Sequence, residues 1–208
     1  MKVDLQGRRV LILGAGGEVG ASITAALAGC GATVDALPCL DCGAQESARD
    51  AAASHVRDSG KPDILVNLSD TAGFRDGATE TGEERDWFVH ASRAFAPFVT
   101  RVINVISVAG LVPVRDAVGL SAHHAALASL TRGLAMELAP DILVNALAVG
   151  AFGKEGARLV SHSPLKRPAA PGEIAAAALF LAAPRNTYTT GHVMAVDGGW
   201  SIGYARDF

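Results

Sequence analysis

The chain has 208 residues, half of them hydrophobic, and a formal net charge of −3. That size and apolar content suit a single globular domain spanning residues 1–208, and the weakly acidic balance excludes the basic footprint of a nucleic-acid binder. No apolar segment approaches the length of a membrane span and three cysteines make no disulfide framework, so no membrane partner and a cytoplasmic setting are expected.

In chain order the pattern alternates strand and helix. The opening "MKVDLQGRRVLILGAGG" does not read as a signal peptide, because its apolar run is short and leads straight into glycines. Within it, "RRVLILG" (Arg8–Gly14) reads as a buried strand. "GEVGASITAALAGCG" follows as a helix stopped by Gly29 and Gly31. "ATVDALP" is a second strand, and "AQESARDAAASHVRDSG" a helix stopped at Gly60. "PDILVNL" is a third strand, and "GEERDWFVHASRAFAPFVT" a helix that Pro97 kinks or ends. "RVINVIS" is a fourth strand. "LSAHHAALASLTRGLAMELAP" is a long helix closed by Pro140. "DILVNALAV" is a fifth strand, "PGEIAAAALFLAA" a helix with Pro171 in its first turn, and "HVMAVDGG" the last strand. Continuous apolar strands between helices predict a parallel sheet covered on both faces, an α/β fold of the doubly wound kind. There is no internal repeat, low-complexity tract or linker.

Three passages carry a family likeness. "LVNALAVG" looks like "VNAVAPG" of the short-chain dehydrogenase/reductase family. "GEIAAAALFLAAPRNTYTTGHVMAVDGGWSIG" matches that family's last helix, last strand and following loop. "INVISVAGLVP" matches the strand that delivers its catalytic serine. The chain therefore resembles that family throughout, which implies a single Rossmann-type domain. The second strand runs almost directly into "LPCLDCGAQESA". One strand–helix unit on the adenine side of the sheet is therefore expected to be missing.

The resemblance implies hydride transfer between a nicotinamide and a carbonyl or alcohol carbon. In the family a tyrosine moves the proton and a lysine one turn later lowers its pKa and holds the ribose. A serine orients the substrate oxygen, and an asparagine often supports a water relay. Ser107 aligns with the serine. The tyrosine position holds Leu120 and the lysine position His124. Leucine can neither give nor take a proton, and histidine is shorter than lysine and usually neutral at pH 7. General acid–base catalysis is worth roughly 10²–10⁴ in rate, so losing both groups predicts little of the family's redox activity. Ser107 is then either catalytic or a relic. His124 is either a stand-in acid or base or an ordinary packed histidine. The supporting asparagine has no clear counterpart, Glu84 standing roughly there.

The cofactor loop departs in the same direction. The family's TGxxxGxG reads "LGAGGEVG", from Leu13 to Gly20. Gly14 and Gly20 keep the outer glycines, and Glu18 replaces the middle one, which normally lets pyrophosphate approach the helix N-terminus. Glu18 brings bulk and negative charge there, and is expected to block phosphate unless it points outward. After the second strand Pro38 stands near the position of the ribose or 2′-phosphate ligand, with Asp35 early and Asp41 late. The "NNAG" after the third strand reads "NLSD" and keeps only Asn67 as a vestigial cofactor residue; "TAG" (Thr71–Gly73) is the alternative counterpart. The "PG" after the fifth strand has become Val149–Gly150. No cofactor is expected, or NAD(P) if the loop still binds.

Other candidates are weaker. His123 and His124 are adjacent, point apart on a helix and make a poor metal pair, so no metal site is expected. Cys39 and Cys42 form a CxxC that Cys30 alone does not complete. Trp87, Trp200 and Phe208 read as core or interface anchors. The family norm is best kept in the C-terminal third, which in relatives builds subunit interfaces. The expected role is a non-catalytic subunit supporting an active homologous dehydrogenase, for example in a heteromeric hydroxyacyl-CoA or alcohol dehydrogenase, or pairing with itself. One alternative is a repurposed enzyme for isomerisation, dehydration or cyclisation of a small metabolite, with Ser107, His124 and Asp70 lining its pocket. The other is a residual NAD(P)-dependent oxidoreductase.

Overall fold

The computed structural model describes residues 3–37, 44–69, 82–153 and 160–203, with residues 82–85 described in their backbone alone. Among the described residues six strands and five helices alternate: β1 (Arg9–Leu13), α1 (Gly17–Gly29), β2 (Thr33–Leu37), α2 (Gln45–Ser59), β3 (Ile64–Leu68), α3 (Gly82–Phe95), β4 (Arg101–Ser107), α4 (Val118–Leu138), β5 (Leu143–Val149), α5 (Pro171–Ala182) and β6 (Val193–Val196). Three-residue 3₁₀ turns follow β4 (Val108–Gly110) and β6 (Trp200–Ile202). Every residue of β3 is buried, as is all of β4 and β5 beyond the first residue, which is why these strands are apolar throughout rather than alternating.

All strand pairs are parallel, and the sheet order is β2-β1-β3-β4-β5-β6. The common dinucleotide-binding order has one more strand beyond the second. Among the described residues β2 is instead the edge, so the sheet is short by one unit on that side, as the sequence predicted. The order in which successive strands are added reverses between β1 and β3. In doubly wound sheets the crevice at the carboxyl ends of the strands at such a switch point is where ligands bind.

Helices cover both faces. Val19, Ile23 and Leu27 of α1 pack with Ile174, Ala178 and Leu181 of α5 on one side. Ala48 and Ala52 of α2, Ala91 and Phe95 of α3 and Leu134 of α4 fill the other. Burying a Leu, Ile or Phe side chain contributes about 1.5–3 kcal/mol, so these two layers supply most of the drive to fold. The breakers act where the sequence places them. Gly60 ends α2 at φ 90°, and α3 stops at Phe95, two residues before Pro97. At the start of α5 the Glu173 carboxylate accepts the Ala170 N–H (2.8 Å) and a bidentate pair from Arg167 (2.7 and 2.8 Å). These contacts hold its carboxyl down at about 2, the Arg167 hydrogen bonds first and the backbone N–H next.

Candidate functional site

The crevice is bounded by the β1–α1 loop, the ends of β3, β4 and β5, and the start of α4. In the loop, Gly14 has φ 77°, and a Cβ there would run into the carbonyl of Leu68 on β3. A Cβ on Gly20 would run into the carbonyl of Ala15. Both outer glycines are therefore demanded by close backbone packing. Gly16 and Gly17 differ: among the described residues a Cβ on either would meet nothing within 4 Å. Glu18 follows in the first turn of α1 and is exposed. Its Oε2 lies 3.1 Å from where a Cβ on Gly153 would sit. The carboxylate thus reaches from α1 across to the segment after β5, where Gly153 has φ 58° and no side chain.

At the end of β4, Ser107 is buried and bonded through both its hydroxyl oxygen and its N–H. Its Oγ accepts the Ala109 N–H (3.2 Å) and so caps the 3₁₀ turn. Its own N–H donates to Nδ1 of His124 (3.2 Å). A backbone N–H can only donate, so Nδ1 must be unprotonated, and the ring is the neutral tautomer with its proton on Nε2. His124 is 1% exposed. Gly110 lets this happen, since a Cβ on it would fall on the backbone carbonyl of His124. One turn earlier on α4, Leu120 is buried, and the neighbouring Ser121 accepts the Val114 N–H (2.9 Å), closing the segment that enters the helix. His123 stacks edge-on against His124, with ring centroids 5.1 Å apart. No group of metal ligands exists among the described residues.

Asn67 lies wholly inside the molecule. Its amide donates to Asn104 (3.0 Å), its register partner on β4, and to Ser92 on α3 (3.2 Å). Asn104 donates on to Thr131 of α4 (3.0 Å). The ladder ties two helices to two strands. At the crevice end of β3, the buried Asn67 Oδ1 and Ser69 Oγ have no hydrogen-bond partner among the described residues. Asp35, in the middle of β2, pairs with Arg9 (3.1 Å), away from the crevice. The sequence reading missed Gly110, Ser121 and the Asn104–Thr131 link. The only signal for the last was a polar residue at matching places in two apolar strands. Pro38, Cys39, Asp41, Cys42, Asp70, Thr71–Gly73, Phe208 and the Glu84 side chain lie outside the described residues.

Beyond β5 the C-terminal third is tightly built. Asp197 accepts the N–H groups of Gly199 (2.9 Å) and Ser201 (2.7 Å), and Ser163 donates to the Gly198 carbonyl (2.8 Å). A cavity of about 440 Å³ opens here, lined by Ala151, Leu165, Arg167, Glu173 and Asp197 among others. Leu165 and Ile202 lie exposed in this third, as do Val118 and Met136 on α4. Trp87 packs edge-on against Phe88 at 4.4 Å, and the half-buried Trp200 sits against Val108 and Ala151, both as anchors within the chain.

A family model described as enoyl-(acyl carrier protein) reductase matches residues 2–201. Galactitol 2-dehydrogenase (L-tagatose-forming) of Cereibacter sphaeroides is 32% identical over 246 aligned positions, covering 95% of this chain and 96% of that protein. The chain belongs to the short-chain dehydrogenase/reductase family. That alignment is longer than the 208-residue chain, so this dehydrogenase carries residues that the present member lacks. Another relative is the inactive 2-(S)-hydroxypropyl-CoM dehydrogenase 2 of Xanthobacter autotrophicus, 31% identical over 166 positions (65% of this chain, 71% of that one). Pseudomonas aeruginosa RhlG, solved as an active-site complex with NADP, superposes with a TM-score of 0.77 at 26% identity, covering 95% of this short-chain dehydrogenase/reductase and 98% of RhlG. No described helix is long and apolar enough to cross a membrane.

Proposed function

We propose that this chain is a non-catalytic short-chain dehydrogenase/reductase subunit that assembles with an active homologue and supports it. A heteromeric hydroxyacyl-CoA or alcohol dehydrogenase is one setting of this kind. The observation that carries the reading is the joint commitment of Ser107 and His124. The serine oxygen caps a turn, its N–H is received by the histidine, and the position one turn before the histidine is a buried leucine. Leu120 has no group to give or take a proton, and Nδ1 of His124 is already taken by the Ser107 N–H. The crevice also fits a nicotinamide dinucleotide poorly. The lysine position is a buried neutral ring, the one acid in β2 is paired with Arg9, and Glu18 stands at the phosphate end. No step is therefore routed through a nicotinamide. The exposed apolar residues of α4 and of the C-terminal third supply surface for a partner subunit. The relative named as inactive agrees with such a role.

A second reading is a residual NAD(P)-dependent oxidoreductase, and it draws on the dehydrogenase names of relatives that cover nearly the whole chain. One experiment separates the two. The chain is expressed alone and together with candidate homologous dehydrogenases. Its oligomeric state is measured, and turnover is assayed with NAD and NADP across sugar, polyol and hydroxyacyl substrates. A mixed oligomer whose activity depends on the partner's tyrosine supports the proposal. Turnover by the purified chain alone overturns it.

A further inference from the structure

We propose that the Glu18 carboxylate is a built-in stand-in for a dinucleotide's phosphate, and that this one group keeps pyrophosphate out of the crevice. The inference extends the reading above to the same crevice and can fail separately, since a protein without catalysis can still hold a nucleotide. Three observations carry it. The backbone cradle is intact: Gly14 and Gly20 keep the loop close to β3 and to Ala15, while a Cβ on Gly16 or Gly17 would meet nothing within 4 Å among the described residues. What departs from a phosphate cradle is charge, because Glu18 is the only charged residue in α1 and stands in its first turn. Its Oε2 lies 3.1 Å from the Cβ position of Gly153, in the segment that follows β5, and the bare glycine leaves it that room.

A helix N-terminus carries partial positive charge and favours an anion, and in this fold that anion is ordinarily the ligand's pyrophosphate. Here the chain supplies the anion itself. A second one arriving beside it is repelled. Two unit charges about 4 Å apart lose roughly a thousandfold in affinity at the effective dielectric of a protein surface, and about fivefold in bulk water. The exposed Glu18 falls between these limits. Salt screens the repulsion, since the Debye length falls from about 10 Å at 0.1 M to about 3 Å at 1 M.

The test compares the wild-type chain with Glu18→Gln, which keeps the shape and removes the charge, and Glu18→Gly, which restores the open loop. Each is titrated by calorimetry with inorganic pyrophosphate and with NADH, and melted with and without pyrophosphate. The expected result is no wild-type binding up to millimolar concentration and at least tenfold tighter pyrophosphate binding by Glu18→Gln at low salt, a gain that shrinks as salt rises. Glu18→Gln should also melt lower than wild type alone and recover when pyrophosphate is added. A purely steric plug would show no salt dependence and no recovery. Micromolar binding of NADH or pyrophosphate by the wild type overturns the inference and leaves the partner-subunit reading standing. Folded variants that bind no better than wild type overturn it too. If both variants fail to fold, Glu18 is a packing residue and the proposal falls.

Discussion

Replacing His124 by alanine tests whether this ring is a structural clamp or a surviving chemical group. In the native chain its Nδ1 receives the Ser107 N–H at 3.2 Å, both residues are almost wholly buried, and Gly110 presses against the histidine backbone. The alanine variant leaves that N–H buried with no acceptor, which costs about 1–3 kcal/mol. Removing a buried ring adds roughly 2–3 kcal/mol of lost contact and cavity. The total is about 4 kcal/mol, and for a chain of this length each kcal/mol lowers Tm by roughly 2–4 °C, so a fall of about 8–16 °C is expected. His124→Asn is the informative partner, because its side-chain oxygen can accept the same N–H and should recover about half the loss. The assay is urea unfolding followed by circular dichroism, read as a change in midpoint at constant slope. An alanine variant within about 0.5 kcal/mol of wild type, or an asparagine variant no better than alanine, would refute the clamp.

The remaining predictions concern the loop, the ladder and the start of α5. Gly14→Ala places a Cβ on the Leu68 carbonyl at φ 77° and should prevent folding or cost more than about 3 kcal/mol, whereas Gly16→Ala meets open space at φ −66° and should stay within about 0.5 kcal/mol; denaturant midpoints compare them. Asn67→Ala breaks two buried hydrogen bonds and strands Asn104, so it should lower stability by about 2–4 kcal/mol with or without nucleotide, and a variant that changes only nucleotide binding would restore Asn67 to a cofactor role. Glu173 has its carboxyl lowered to about 2 by Arg167 and the Ala170 N–H, so its contribution is present above the ordinary carboxylate range near 4.5 and is lost as pH falls toward 2. Because the pair is exposed the effect is small and screened by salt. The stability gap between wild type and Glu173→Gln should therefore close between pH 4.5 and 2, and a gap that widened on acidification would contradict it.

Nearly all the regular structure was legible in the sequence, because its signals are redundant. The buried strands are unbroken apolar runs, Gly60 and Pro97 end helices in the way their backbones require, and the abrupt passage from β2 into α2 announced the missing unit. The site was legible in residue type but not in role. The leucine at 120 and the histidine at 124 could be read as losses. That the histidine had become the acceptor for Ser107, and that the serine oxygen had turned to cap a three-residue turn, could not be read, since such a turn has no periodicity. Asn67 looked like a remnant of a cofactor motif for the same reason. Its partners lie 25 and 37 residues away, and only the register of β3 on β4 brings them together. Glu18 was readable as a charge in the wrong place, but not as one leaning on Gly153, because the two meet only once α1 and the end of β5 are set side by side.

These placements explain why the parts of the family pattern present here are the ones they are. Gly14 and Gly20 each separate two stretches of backbone that would otherwise collide, Asn67 joins two strands and two helices, and Ser107 caps a turn. Each would be required of this fold if no cofactor ever entered it. The family tyrosine, lysine and middle glycine have no such second duty in this architecture. On the proposed reading Leu120 fills the tyrosine's place as an apolar side chain, His124 fills the lysine's with a hydrogen-bond acceptor, and Glu18 sits at a helix start that favours a negative charge. Under that proposal each replacement suits a crevice holding no nucleotide and acts against holding one. The fold thus separates residues that make the domain from residues that make the reaction; the first set is in place in this chain and, as proposed above, the second is replaced.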